Sequence, residues 1–255
     1  MTPQPHARMV MLLDVDGVIV DNDRYDPEWD RLAGQALAPL LGGSPDAWHA
    51  AQSDAWSRVF AKGLREIDEM PESNRPHPSD WWDGVHAEWI QEACKLMGLA
   101  APGTPRARAE IAERAFDFYC RNAEASFPGT ADAIRQLAEQ FELHMASGYP
   151  AWIVEALLRR LDVRELIGYP FGSDLAGALK RAPYQQFYRA ITAKIGGHLE
   201  KLIVVDDYEK PLAAARELLG AVTVRVGAPS EADGDNIVID RLSSLPALND
   251  SRILA

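Results

Sequence analysis

Short, almost wholly apolar runs that stop at a polar residue recur along the chain. The first, Val10 to Leu13, ends at Asp14. Leu143 to Ala146 leads to Ser147, Leu202 to Val205 leads to Asp206 and Asp207, and Val222 to Val226 leads to Gly227. The first of these is almost wholly apolar and predicts a strand buried on both faces of a parallel sheet, and the later ones read as strands followed by a polar break. Between them the apolar period changes to that of a helix. Ile153, Ala156, Leu157 and Leu161 share one face, as do Phe187, Ile191 and Ile195, while Leu212 to Leu219 is rich in Ala and Leu. Strands alternating with helices from about residue 126 onward imply βαβ units, and so a doubly wound α/β core of Rossmann-like type.

Residues 22–125 break that alternation. They hold six of the seven tryptophans and no convincing strand. Ser44-Pro45 and Thr104-Pro105 are helix starts, a capping side chain followed by a proline whose missing N–H costs nothing in the first turn. Trp82, Val85, Trp89 and Leu96 recur at helical spacing. The expected organisation is a core of residues 1–21 and 126–255 with an inserted all-helical domain, residues 22–125.

The formal charge of −12 argues against nucleic acid or an anionic membrane as partner, because a phosphate-tracking surface needs a basic stripe. Two cysteines, Cys94 and Cys120, lack metal-ligand spacing and suggest no disulfide framework, so a reducing cytoplasm is expected. The first apolar run is only strand-length, and neither a signal peptide nor a membrane span is read from it.

Ligands of open parallel sheets gather beyond the carboxyl ends of the strands. Asp14, Asp16, Ser147, Asp206 and Asp207 all fall at such ends, with Lys180 in the loop and helix region between Ser147 and Asp206. Carboxylates this close repel unless a divalent cation neutralises them, so Asp14, Asp16, Asp206 and Asp207 are candidate ligands of Mg²⁺. Asp14 can act as a covalent nucleophile on phosphorus and Asp16, beyond a Gly17 turn, as acid and base. Ser147, Gly148 and Lys180 are the expected phosphate-binding groups, with the start of the helix after Pro150 aimed at the anion.

Asp14-Val15-Asp16-Gly17-Val18 resembles the first motif of the haloacid dehalogenase-like hydrolase superfamily, in the form its phosphatase branch uses. Phe127-Pro128-Gly129-Thr130 and then Ser147 are similar to its second motif. Phe171-Gly172-Ser173-Asp174 and Lys180-Arg181-Ala182-Pro183 resemble its lysine region, and Asp206-Asp207 its acidic fourth motif. Residues 235–246 resemble its terminal strand and the turn after it. The helical insertion stands where that family carries a type-1 cap. Two positions depart from the pattern: Arg181 replaces a usual proline, and Pro211 stands where a second acid often follows. The resemblance implies a Mg²⁺-dependent phosphatase that takes phosphate from a small phosphorylated metabolite through an aspartyl-phosphate. A phosphomutase of the same superfamily, or a catalytically silent binding protein on the same fold, is the alternative. A dehalogenase is the lesser expectation, since that branch does not need Asp16.

Plainer readings stand beside these. Ser147 can cap a helix, Lys180 beside Arg181 can be a solvated charge, and Asp206 can be a turn residue. Trp81, Trp82, Trp89 and His86 at helical spacing read as packing before they read as substrate contacts, and Glu66, Asp68 and Glu69 as a solvated face. Arg75 and His77 lie in a Pro-rich loop with no assigned role.

Overall fold

The computed structural model describes residues 8–248 and Ile253. Residues 1–7, 249–252 and 254–255, the outer ends of the expected core, lie outside the described residues. The chain divides into two compact units, Met1–Asn22 with Ser126–Ala255, and Asp23–Ala125.

The first unit is built on a six-stranded parallel sheet. Its strands are β1 (Arg8–Leu13), β2 (Glu142–Ala146), β3 (Ile167–Phe171), β4 (Leu199–Asp206), β5 (Val222–Val226) and β6 (Ile237–Ile239), in spatial order β3-β2-β1-β4-β5-β6. The order reverses at β1, which pairs with β2 on one side and β4 on the other. A central strand needs apolar side chains on both faces, and Val10 to Leu13 are wholly buried. Val10 and Leu12 pack with Val204 of β4 and with Phe187, Tyr188 and Ile191 of α8 (Gln185–Ile195). Met11 and Leu13, one residue out of phase, face the other side. Each large side chain fully buried this way stabilises the fold by about 1.5–3 kcal/mol before entropy is counted.

Strand β3, Ile-Gly-Tyr-Pro-Phe, has no counterpart among the apolar runs. It is an edge strand, hydrogen-bonded on one side to β2, so Pro170 costs it little. In α6 (Ala151–Arg160) the buried face is Ile153, Val154, Leu157 and Leu158, one position away from the expected stripe. Ala156 and Leu161 lie at its border.

The second unit comprises α1 (Asn22–Leu41, apart from Asn22), α2 (Pro45–Glu69), α3 (Pro78–Leu96) and α4 (Pro105–Asn122). Ser44 and Thr104 cap α2 and α4, their hydroxyls accepting the N–H of Ala47 and Ala107 at 3.3 and 3.2 Å. The interior is aromatic. Trp29 stacks on Phe116 at 4.4 Å between centroids, Trp89 tilts against Trp29 and meets Phe116 edge-on, and the Trp89 indole donates to the Gln52 carbonyl at 3.0 Å. His86 lies in the same cluster, 5.1 Å from the Phe116 ring. Trp82, Trp89 and His86 are buried, which makes them packing residues of this unit. Leu96 departs from the expected stripe: as the last residue of α3 it is exposed. No helix among the described residues is long and apolar enough to cross a membrane.

Candidate active site

Strand ends place the site. Asp14 directly follows β1 and its N–H donates to the Val205 carbonyl of β4 at 3.0 Å, so the carboxylate is carried by the centre of the sheet. Asp206 closes β4 beside it, its Oδ1 accepting the Tyr208 N–H at 2.9 Å. Lys180 reaches in from the segment between α7 (Ser173–Ala176) and α8. Its Nζ lies 2.7 Å from Asp14 Oδ2 and 2.7 Å from Asp206 Oδ2. All three side chains are nearly cut off from solvent, at 6% exposure for Lys180, 11% for Asp14 and 2% for Asp206.

Burial and charge oppose each other in this triad. Burial works against the Lys180 ammonium, yet Asp14 and Asp206 together outweigh it, and the lysine holds its proton well above the usual range. For Asp14, burial pushes the carboxyl well up and Lys180 pulls it back. With a protonated lysine 2.7 Å away, Asp14 is the carboxylate of the pair, because a neutral acid would forfeit that attraction inside a poorly polarisable site. One Asp14 oxygen is thus held by a cation in surroundings that exclude most water.

Asp16 stands outside that triad. Burial, then the charge of Asp207, push its carboxyl up to about 7, against the pull of Lys180 and a hydrogen bond with Tyr149. Burial and Asp206 raise Asp207 to about 6. Gly17, directly after Asp16, has φ +67, and a Cβ there would lie 2.2 Å from Asp207 Oδ2, so the loop after β1 approaches Asp207 only because the residue is glycine. Asn22 ties the same loop down, accepting from the Gly17 N–H at 3.1 Å and donating to Asp207 at 3.4 Å.

Asp14, Asp206 and Asp207 each offer a carboxylate oxygen within 4.8 Å of the others. Three hard oxygen donors at this spacing fit a divalent cation such as Mg²⁺. Asp16, expected as a fourth ligand, is not part of that group.

Ser147 is buried at the end of β2. Its Oγ accepts the Tyr149 N–H at 3.2 Å, so it shapes its own turn instead of capping α6. Gly148 follows beside Lys180: a Cβ on it would sit 4.0 Å from that of the lysine. The α6 start differs from expectation. The Ala151 N–H donates to Asp174 Oδ1 at 2.7 Å, so a protein carboxylate already takes the helix end that was expected to face a substrate anion. Asp174 and Asn22 were not singled out as site residues. Tyr188 was also missed: its fully buried hydroxyl has no hydrogen-bond partner among the described residues, and the Lys180 charge acts on it. Nothing in the sequence marks that tyrosine beyond its place on the buried face of α8.

The family model for haloacid dehalogenase-like hydrolases matches residues 9–218, so the chain belongs to that family of hydrolases. Comparison with curated protein sequences gave no match. Among solved structures, an L-2-haloacid dehalogenase is 19% identical with TM-score 0.66, over 94% of this chain and 98% of that one. The L-2-haloacid dehalogenase of Xanthobacter autotrophicus with chloropropionic acid covalently bound is 13% identical with TM-score 0.61, over 94% and 97%. The HAD-hydrolase YfnB of Bacillus subtilis, bound to magnesium, is 17% identical with TM-score 0.60, over 94% and 97%. At these identities the likeness is one of fold.

The expected phosphomonoesterase and its phosphorylated substrate are corrected by this comparison. The structures matched are repeatedly dehalogenases, named for the carbon–halogen bond and not for a phosphoryl ester. The phosphomutase alternative, which needs the same phosphoryl group, falls with it. A nucleophilic carboxylate, a hydroxyl and an ammonium serve attack on carbon as well as on phosphorus, so these residue types do not reveal which element is attacked.

Proposed function

We propose that the protein hydrolyses the carbon–halogen bond of a small 2-halo acid through an ester formed on Asp14. The observation that carries this reading is the Asp14 carboxylate itself, buried at the central strand end with one oxygen held by Lys180 at 2.7 Å. A carboxylate stripped of water and kept ionised by a fixed counter-charge is an activated nucleophile. The covalently held chloropropionic acid in the Xanthobacter dehalogenase supports the choice of carbon as the centre attacked.

In the first step an Asp14 oxygen bonds to carbon 2 and the halide leaves with the electron pair of the broken bond. Ser147 and the backbone of Gly148 hold the substrate carboxylate, and Lys180 keeps Asp14 charged and oriented. In the second step water loses a proton to Asp16 and adds to Cγ of Asp14. The bond from Cγ to the substrate oxygen then breaks, and the departing 2-hydroxy acid takes the proton from Asp16. Asp14, Asp206 and Asp207 would hold Mg²⁺, which when bound supplies positive charge to the acids; Asp16 is left free as acid and base. Cys94 and Cys120 are buried and form no disulfide among the described residues, which supports a reducing, cytoplasmic setting.

The test is halide release from 2-chloro and 2-bromo acids, followed by a single turnover in ¹⁸O-water. Attack of water at Cγ places the label in Asp14 and leaves the first product unlabelled. Absence of halide release, together with phosphate release from phosphomonoesters, would overturn the proposal.

A further inference from the structure

The loop from Ser147 to Pro150, which joins β2 to α6, is latched from one side by the four residues that end β3 and open α7. The Ser147 N–H donates to the Phe171 carbonyl at 2.9 Å, and the Ser173 N–H to the Tyr149 carbonyl at 2.9 Å. The Ser173 hydroxyl donates to the Gly148 carbonyl. The last contact is the Ala151 N–H to the Asp174 carboxylate at 2.7 Å. Ser173 is wholly buried. Between Phe171 and Ser173, Gly172 lets the two backbones touch: a Cβ on it would come within 2.3 Å of the Tyr149 carbonyl oxygen and the Ala151 nitrogen. No side chain fits at Gly172, so the contact is built from backbone groups, the Ser173 hydroxyl and one charged side chain.

That charged side chain is out of place by local rules. Asp174 sits in the first turn of its own short helix, yet its carboxylate reaches a helix start 23 residues away in sequence. A carboxylate on a helix N–H makes a charge-assisted hydrogen bond and takes the favourable end of the helix dipole. The N-terminus of α6 is thereby occupied by a built-in anion, while Ser147 and Gly148 are fixed just ahead of it.

We infer that Asp174 is a positioning residue that holds the Ser147–Gly148 loop in its substrate-binding shape by occupying the α6 N-terminus in place of a ligand. The inference rests on the proposed role of that loop in binding the substrate carboxylate. Asp174 touches no reacting atom and acts only through the loop.

Two variants of the full chain test it, each read by hydrogen exchange over residues 147–151 and by halide-release kinetics. Asp174→Ala removes the acceptor. It is expected to lose exchange protection there and to lower kcat/KM about 10²-fold, most of it as a higher KM, because a misplaced binding loop weakens the bound geometry. Asp174→Asn keeps an acceptor oxygen and is expected within a few-fold of the parent. Acetate added to Asp174→Ala supplies a carboxylate for the vacated helix end, and is expected to recover both protection and KM while leaving the parent protein unchanged. A residue that served only to stabilise the fold would lower the melting temperature and the active fraction without moving KM or responding to acetate. Retained protection in Asp174→Ala, or lost protection with an unchanged KM, overturns the inference while the Asp14 reading stands. If the parent releases no halide the Asp14 reading fails instead, and recovery of exchange protection by acetate still decides whether Asp174 latches the loop.

Discussion

Both units of this chain bury an ionisable group, and they deal with its charge in opposite ways. At the strand ends the charges are kept and matched, Lys180 standing between two buried carboxylates. In the helical unit the charge is given up. His86, enclosed by Trp56, Trp82 and Phe116, has its pKa pushed down by burial to about 3 and is neutral at ordinary pH. Retaining buried charge is costly and gives reactive groups, whereas discarding it gives close packing and nothing that can react. The difference separates a site from a core even though both regions are buried.

The contrast breaks most visibly at Asp14. Replacing it by Asn keeps the volume and the hydrogen-bonding shape but removes the nucleophile, so halide release is expected to fall by at least about 10³-fold while the protein stays folded. Near-parental turnover in Asp14→Asn, measured beside its circular dichroism, would remove Asp14 from the chemistry. Lys180→Met comes next and should be felt in the fold itself. Two buried carboxylates would lose their shared cation, at a cost of about 3–5 kcal/mol in urea unfolding. Adding Asp206→Asn to Lys180→Met removes one of the stranded charges and should recover part of the loss, a non-additivity that a merely well-packed lysine would not produce.

How far each region is legible in the sequence follows the same division. Val10 to Leu13 and Leu202 to Val205 read as strands because a central parallel strand is apolar on both faces, and the acids at their ends read as chemistry because charged groups there have no packing role. Strand β3 was invisible because an edge strand tolerates the glycine and proline of Ile-Gly-Tyr-Pro-Phe, residues that otherwise signal a turn. Asp174 stands in the stretch that resembles the family's lysine region, with no role of its own read there; its partner at Ala151 lies 23 residues away, and spacing along the chain carries no trace of it. The substrate was misread for another reason. Asp14, Ser147 and Lys180 are chosen by the charge they must manage, and carbon and phosphorus make similar demands.

A third, smaller effect tests the discarded charge. Above the unfolded histidine pKa near 6.5, His86 is neutral in both states and contributes no pH dependence. As pH falls below that value the unfolded chain takes up a proton that the folded one refuses until about pH 3, so stability declines on acidification. The slope from this residue is about 1.4 kcal/mol per pH unit at its steepest. In His86→Phe that component vanishes, and the difference between parent and variant in urea stability should narrow or reverse from pH 7 to pH 4. Equal slopes for the two proteins would mean that His86 takes up its proton in the fold and that the helical unit keeps charge after all.

The smallest effect lies where the helical unit meets water. Ser44 precedes Pro45 with extended backbone, φ −100 and ψ 152, and its hydroxyl accepts the Ala47 N–H at 3.3 Å. Ser44→Ala leaves that donor to solvent alone and should cost about 1 kcal/mol, while Ser44→Gly, which lets water reach the helix end, should cost only a few tenths. Both losses should be insensitive to pH between 5 and 8, since no charge is involved, and both should leave halide release unchanged. Chemical unfolding of the two variants sets them in order. An Ala variant as stable as the parent would mean that Pro45 alone sets the start of α2, the hydroxyl adding nothing to a first turn whose φ the proline has already restricted.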